Sequence, residues 1–382
     1  MKFSRWLLVG ALALFSVSLI AACGTDEETP EPGNGDPDPT ATAEPAFDAE
    51  EHFSGETITI YVGFSPGGGY DTSARAVASV MPDHMPGNPD IVVENRPGSG
   101  GELVFPLIEQ GGPEGMYSAV MHPRFMKREL VGVDVPSFDL ETIKWVGAPT
   151  AYIATSSYYL DCSIAETWDE VLDQGITVSE GATERGDTGS LGSTFVTLMG
   201  GPVELIYGYG GTSEIMAAFD RGELDGTNRG NYTQAPRLFP EWIEDGRLCP
   251  MFHWGADPAE DERYTEYVTE DLGRDIPPHV FDVTDPDQGE QEVFTASEII
   301  NEFLGRSLIL HEDTPQEIHD AWAEAFEATV ADPQFVEIMV AAGFDAGYFS
   351  PEDTVRELET AQNALSGNEE LTALFEELAG VD

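Results

Sequence analysis

The sequence TITIYVGFSPGGGYDT, residues 57–72, decides the fold because it joins a strand pattern to a glycine-rich loop and the start of a helix. Residues 57–62 alternate with period two and carry β-branched side chains, which is typical of a strand. A second short apolar run follows at Ile91-Val92-Val93. Between the two runs, helical spacing relates four apolar residues: Ala74, Val77, Ala78 and Met81. Strand, helix and strand in this order predict a parallel βαβ unit and hence an α/β fold.

Further apolar runs extend this pattern, at residues 145–146, 176–178, 203–206 and 307–310. The last third of the chain is predicted to be helical, because Thr314, Asp332 and Ser350 each precede a proline in a cap-then-proline pattern. At Thr314 we also expect a capping box with Glu317.

The three consecutive glycines, Gly67 to Gly69, suggest an anion site. Glycine lets the backbone approach a ligand closely, and the N-terminus of the following helix offers unpaired N–H groups. A flexible turn in which Asp71 or Thr72 only caps the helix explains the same residues. The segment alone leaves both interpretations open.

Three more glycine-rich turns follow predicted strands, at residues 95–101, 186–190 and 207–213. In open α/β sheets, ligands bind at the carboxyl ends of the strands. Four such turns are therefore expected to surround a cleft.

The N-terminus indicates export. Lys2 and Arg5 precede a short apolar run that ends in Ala21-Ala22-Cys23, a lipobox arrangement. We expect residues 1–22 to be a signal peptide, Cys23 to be lipidated and residues 23–55 to form a disordered acidic tether. An ordinary signal peptide and an uncleaved anchor helix are the alternatives, but the run is shorter than the roughly 20 residues that span a bilayer.

The formal net charge of −54, from 71 acidic and 17 basic residues, makes nucleic-acid binding untenable because phosphate contacts need basic patches. A surface of this kind is typical of proteins that work in concentrated salt. In an exported chain Cys162 and Cys249 can form a disulfide, or they can be two unrelated buried thiols. Metal-ligand motifs are absent from the sequence, so we expect neither a metal nor a cofactor.

Two other functions compete with ligand binding by the glycine-rich turns. One is a secreted hydrolase or transferase that uses Ser190 or Asp71, although GxSxG fails because Thr188 stands at its first glycine. The other is a binding protein for a cationic ligand, although the acidic residues are spread along the whole chain. Both rivals lack a local motif.

The ordered series of motifs resembles the substrate-binding proteins of tripartite tricarboxylate transporters. The Pro-Gly-Gly loop followed by Asp-Thr and Arg matches Pro66 to Arg75, and Glu-Asn-Arg-Pro-Gly-x-Gly-Gly matches Glu94 to Gly101. Farther along, Tyr-x-Gly with a downstream Gly-x-x-Asp matches the set Tyr209, Gly211, Gly222 and Asp225.

The resemblance implies a two-lobed periplasmic-binding-protein fold, type II-like, with two crossovers and C-terminal helices packed on the first lobe. We expect residues 56–149 and 253–382 in lobe 1 and residues 150–252 in lobe 2. It also implies a monomer that binds a small carboxylate (a di- or tricarboxylate, an amino acid or an aromatic acid) outside the cytoplasm and delivers it to integral-membrane transporter subunits. Carried over by motif, the expected ligand contacts are Ser65, Gly68, Gly69, Asp71 and Thr72 on one lobe and Thr188, Gly189, Ser190 and Tyr209 on the other. Gly67 and Tyr70 of the first loop are also expected to contact the ligand, although Tyr70 departs from the residue more usual in the family.

Overall fold

The computed structural model describes residues 47–150, 155–229, 232, 235–302, 304–344 and 346–381. The predicted signal peptide, the lipidated Cys23 and the first part of the predicted tether lie outside these residues. Across the described ranges, no helix combines the length and the apolar character that a bilayer span requires.

The described strands form two sheets. They are β1 Thr57–Val62, β2 Asp90–Asn95, β3 Tyr117–Val120, β4 Lys144–Gly147, β5 Ser156–Asp161, β6 Val178–Ala182, β7 Val203–Tyr207, β8 Gly226–Thr227, β9 Leu248–Trp254 and β10 Leu308–Leu310.

Helices connect and cover these strands. They are α1 Ala49–Phe53, α2 Gly69–Val80, α3 Phe105–Gly111, α4 Pro123–Leu130, α5 Trp168–Gln174, α6 Leu191–Leu198, α7 Thr212–Asp220, α8 Ala235–Leu238, α9 Pro240–Glu244, α10 Glu262–Glu266, α11 Val280–Thr284, α12 Gln288–Glu302, α13 Gln316–Ala331, α14 Pro333–Ala341, α15 Pro351–Leu365 and α16 Glu369–Ala379.

The chain passes between the two sheets twice. The first sheet has the order β2-β1-β3-β10-β4, and the second has the order β7-β6-β8-β5-β9. In the first sheet β1, β2 and β3 are parallel and β10 is antiparallel. In the second sheet β7 and β8 both lie parallel to β6. The predicted α/β architecture of two lobes and two crossovers is confirmed.

The C-terminal helices pack on the first sheet, as predicted. Trp322 and Phe326 of α13 join Phe335 of α14 in one buried cluster with Ile58 and Ile60 of β1. Helices α15 and α16 lie against α12 and α4. Asp332 and Ser350 cap α14 and α15 as expected.

The second sheet has its own core on one face, built around Tyr159 and Trp242. Tyr264 and Tyr267 belong to this core although they lie beyond residue 252, and the limit of lobe 2 stays a prediction. A disulfide joins Cys162 and Cys249, whose Cα atoms are 5.2 Å apart.

Two local expectations were wrong. The predicted disordered tether extended to residue 55, but α1 is a helix capped by Asp48, and Phe53 is fully buried against the first sheet. The burial of Phe53, the Asp48 cap and the contact of His52 Nε2 with the Glu114 carbonyl hold this acidic segment on the first sheet. At Thr314 no capping box forms: α13 begins after Pro315, and the Thr314 hydroxyl has no hydrogen-bond partner among the described residues.

The backbone after α16 touches the loop after β6. A Cβ on Gly186 would stand 2.3 Å from the Ala379 carbonyl oxygen, and a Cβ on Gly380 would stand 2.2 Å from that of Arg185. Both glycines have positive φ. Only glycine permits this close approach of two backbones.

Candidate functional site

The carboxyl ends of the parallel strands form one edge of each sheet, and these two edges face each other. The Arg124 side chain, at the start of α4, pairs with Glu184 of the loop after β6, with Nη1 2.5 Å from Oε2. Tyr70 of α2 interacts with the side chain of Thr188 in the same loop. The loops after β1, β3 and β6 therefore meet between the lobes.

The loop after β1 is held by Asp71. Its carboxylate accepts hydrogen bonds from the Gly67 N–H at 2.8 Å and from Asn95 Nδ2 at 2.9 Å, and it pairs with Arg75 at 2.9 Å. Burial opposes ionisation of Asp71, but the hydrogen bonds from Arg75, Gly67 and Asn95 lower its pKa overall. Asp71 therefore lies beneath the loop with its oxygens occupied, while Gly67 and Gly68 stay exposed.

The loop after β6 is held by Asp187. Its carboxylate accepts from the Thr183 N–H at 2.8 Å and from the Gly189 N–H at 2.9 Å. The Arg229 guanidinium, two residues after β8, lies 2.9 Å from it. Burial opposes ionisation here too, but Arg229 and the loop hydrogen bonds lower the pKa of Asp187.

Gly189 is required at its position by the same arginine. A Cβ on Gly189 would stand 1.4 Å from Arg229 Nη1. The guanidinium therefore occupies the space that any other side chain would fill.

Ser190 points away from the cleft. Its hydroxyl donates to Glu180 Oε1 at 2.9 Å, and the Ser193 hydroxyl donates to the other oxygen of that carboxyl group. Glu180 is fully buried on β6, and burial raises its pKa to about 7 although the two serines oppose this shift. Ser190 is therefore part of the support of the loop.

An aromatic wall lines the first-lobe side of the cleft. The Phe64, Tyr70 and His122 rings lie 4.8 to 5.2 Å from one another. Burial lowers the pKa of His122 to about 3, although the charge of Asp187 opposes the shift. The imidazole is therefore neutral at ordinary pH.

The structure thus brings together most of the residues expected at the site, in different roles. Ser65, Gly67, Gly68, Gly69, Tyr70 and Thr72 lie in or beside the exposed first loop, and Thr188 and Gly189 face it from the second. Tyr209 packs its ring against the core of the second sheet, over Gly181.

Sequence reasoning missed four residues at this place: His122, Arg124, Arg229 and Arg306. For the three arginines the signal was the scarcity of basic residues, since a cation in a chain with 71 acidic residues is expected to have a specific partner.

Among the described residues, no group of three or more His, Cys, Asp or Glu side chains is arranged so that it could hold a metal ion. An open groove of about 500 Å³ lies elsewhere, between the starts of α12 and α16, and its walls carry Asp287, Glu290 and Glu370 without a basic residue. Such walls repel a carboxylate.

No protein-family model matches the chain, and no curated protein matches it. Its structure is similar to that of the periplasmic binding protein BugD, with a TM-score of 0.59 and 18% identity over 86% of this chain and 98% of that one. The structure of R. palustris Rpa4515 with adipate has a TM-score of 0.58 and 17% identity, over 84% of this chain and 97% of that one. The structure of MatC from Rhodopseudomonas palustris with bound malate has a TM-score of 0.54 and 14% identity, over 85% of this chain and 99% of that one. The chain has the two-lobed fold of these periplasmic binding proteins.

Proposed function

We propose that the chain is an extracytoplasmic solute-binding protein, which captures a small carboxylate between its lobes and delivers it unchanged to the membrane subunits of a tripartite tricarboxylate-type transporter. One observation carries the proposal. The acidic groups of both facing loops, Asp71 and Asp187, are already paired with arginines, while the glycine backbone at the start of α2 stays exposed. An anion can therefore approach N–H groups there without meeting an unpaired loop carboxylate.

The similar structures support the same class of ligand. Malate and adipate, named with two of them, are small dicarboxylates. At 14% to 18% identity the likeness concerns the fold, so the ligand of this chain remains part of the proposal.

We further propose that the chain is a monomer anchored through acylated Cys23, with residues 24–46 as an acidic tether. The lipobox before Cys23 supports this proposal. Mass spectrometry of the mature N-terminus is the test: a diacyl- or triacylglyceryl mass on Cys23 is expected, and an unmodified N-terminus at another residue would contradict it.

The enzyme interpretation loses its nucleophile in this geometry. The Ser190 hydroxyl donates to buried Glu180 and contacts no histidine among the described residues, and both oxygens of Asp71 accept hydrogen bonds. A nucleophilic serine must be accessible to its substrate, and Ser190 is only 1% exposed. We therefore place Ser190 and Asp71 in the support of the loops.

A thermal-shift screen tests the function directly. The purified full chain is mixed at high salt with a panel of carboxylates that includes malate, adipate, amino acids and aromatic acids. A ligand at 100 times its dissociation constant adds about 2.7 kcal/mol to the stability, so the unfolding temperature should rise clearly. The ligand recovered afterwards should be chemically unchanged. No shift with any carboxylate, or turnover of one, would overturn the proposal.

A further inference from the structure

Arg306 stands at the cleft edge of the first sheet, two residues before β10. Because β10 runs antiparallel to β3, its start lies beside the end of β3, and the Met121 N–H donates to the Ser307 carbonyl at 2.8 Å. The guanidinium lies over the rings of Tyr70 and Phe344, with its carbon 5.8 and 5.0 Å from their centroids. Its Nη2 is 3.7 Å from the point where a Cβ on Gly69 would stand. The charge is therefore held at the start of α2.

Arg306 differs from the other half-buried arginines of the described residues in its lack of an ion pair. Arg124, Arg128, Arg229 and Arg247 each lie within 3.3 Å of a carboxylate oxygen. Arg306 has no carboxylate at salt-bridge distance in the described chain, and its Nε is buried without a hydrogen-bond acceptor.

The lack of an ion pair at Arg306 does not come from a shortage of acidic residues, since the chain has 71 of them. The carboxyl group of Glu302, four residues before Arg306, interacts electrostatically with the Arg306 guanidinium. Burial nevertheless raises the pKa of Glu302, so Arg306 offsets that effect only in part. A partly buried charge without a partner is unfavourable, and a ligand anion would remove the cost.

His122 supplies a second donor on the same wall. Its side chain is 6% exposed, and its ring lies 5.2 Å from that of Tyr70. Nδ1 accepts a hydrogen bond from the Arg124 N–H at 3.2 Å, so the neutral ring carries its proton on Nε2. No described residue accepts from Nε2–H. The wall therefore offers a charged donor and a neutral donor, neither of them satisfied by protein.

We infer that Arg306 recognises the negative charge of the ligand. Its guanidinium forms an ion pair with a ligand carboxylate at the start of α2, and His122 is a neutral second hydrogen-bond donor. The inference rests on the proposed function and deepens it. Backbone N–H groups alone accept any polar oxygen, whereas a guanidinium favours a carboxylate over a neutral amide of the same shape. The cleft should therefore select the ionised acid against its amide.

The test compares the wild type and three variants with one pair of probes. The probes are the carboxylate that binds most tightly in a panel containing malate and adipate, and the amide of that acid. The variants are Arg306→Gln and Arg306→Lys, and Arg356→Gln is the matched control because Arg356 is exposed and lies on α15. Thermal unfolding without ligand shows whether each variant is folded.

Calorimetric titration should show that Arg306→Gln weakens binding of the acid about 100-fold, as expected for loss of a charge-assisted pair, while the amide is affected less than about threefold. Arg306→Lys should fall between the wild type and Arg306→Gln, and it keeps the test decisive if the glutamine variant does not fold. The control should match the wild type.

Unchanged affinity of a folded Arg306 variant for the acid, or equal losses for the acid and the amide, would overturn the inference and leave the proposed function intact. If no carboxylate binds the wild type, the proposed function fails, and the inference fails with it.

Discussion

The loops after β1 and β6 are each held by an aspartate that pairs with an arginine, but the two arginines come from different parts of the fold. In each, an aspartate accepts a hydrogen bond at 2.8 Å from the N–H four residues earlier, Asp71 from Gly67 and Asp187 from Thr183. In the first loop the partner Arg75 lies one turn along the same helix, and its side chain is 51% exposed. In the second loop the partner Arg229 lies just after β8, and its side chain is 12% exposed.

The difference separates a loop that is built locally from one that depends on tertiary structure. The first loop leaves its glycines open, since a Cβ on Gly68 would meet only the Ser65 carbonyl at 3.8 Å. The second loop uses its glycine to admit the arginine. Substitutions should therefore affect ligand binding at the first loop and stability at the second.

Gly189→Val should have the largest effect on stability. Its Cβ would overlap Arg229 and expel the guanidinium from Asp187, and breaking a buried ion pair costs about 3 to 5 kcal/mol. Urea unfolding at pH 7 measures the loss. Gly68→Ala is the matched control and should lie within about 0.5 kcal/mol of the wild type, as surface substitutions usually do. Equal stability of the two variants would refute the distinction between the loops.

Gly68→Val should abolish ligand binding without unfolding the protein. Residue 68 has φ −82° and ψ 173°, which valine adopts readily, but the branched side chain would cover the start of α2. We expect calorimetry to show at least about a 100-fold loss of affinity, or about 2.7 kcal/mol, for the best carboxylate. Undiminished affinity would place the ligand elsewhere.

Asp187→Asn should destabilise the protein by about 2 kcal/mol more than Asp71→Asn, because it leaves a buried guanidinium without a counter-charge. Arg75, half exposed, keeps its hydration when Asp71 is neutral. Both carboxyl groups have lowered pKa values in the folded state. Their contribution is therefore complete above the unfolded pKa, about 3.9, and is lost as the pH falls below it. The gap between each variant and the wild type should close in acid, and a gap that persists there would contradict the assignment.

Glu180→Gln should flatten the pH dependence of stability near neutrality. The folded-state pKa of Glu180 is raised to about 7, so the folded protein holds this proton more tightly than the unfolded chain does. Stability should therefore fall as the pH rises between the unfolded and folded pKa values, by at most about 1.4 kcal/mol per pH unit. Urea midpoints from pH 5 to 8 give the slope. Exposed Glu359→Gln serves as the control and should keep the wild-type slope.

The βαβ start of the chain was predictable because its signals are local. The alternation of residues 57–62, the helical spacing that follows and the three glycines each lie within a few residues. The structure places a strand, a loop and α2 there.

Strand β9 was missed for a physical reason. Pro250 interrupts its pattern and His253 breaks its apolar run, yet all seven residues are buried. Proline is tolerated because β9 lies at the edge of the second sheet, where a lost N–H is not needed by a neighbour. Sequence alone does not reveal which strand takes the edge.

In the candidate site, too, the features with local sequence signals were predictable and those set by the fold were not. The loops were located by their glycines, but the direction of Ser190 depends on Glu180, ten residues earlier on a strand. Arg229 and Arg306 reach the loops through the topology of the sheets. No spacing along the chain encodes those meetings.

The contact between Gly186 and Gly380 has an evolutionary consequence. Each position lies against the other's backbone, so a side chain at either one would push the loop after β6 and the end of α16 apart. Related chains that keep this junction should therefore carry glycine at both positions, and those that lose one should lose the other. The two sites would then show up in an alignment as a covarying pair separated by nearly the whole second half of the molecule.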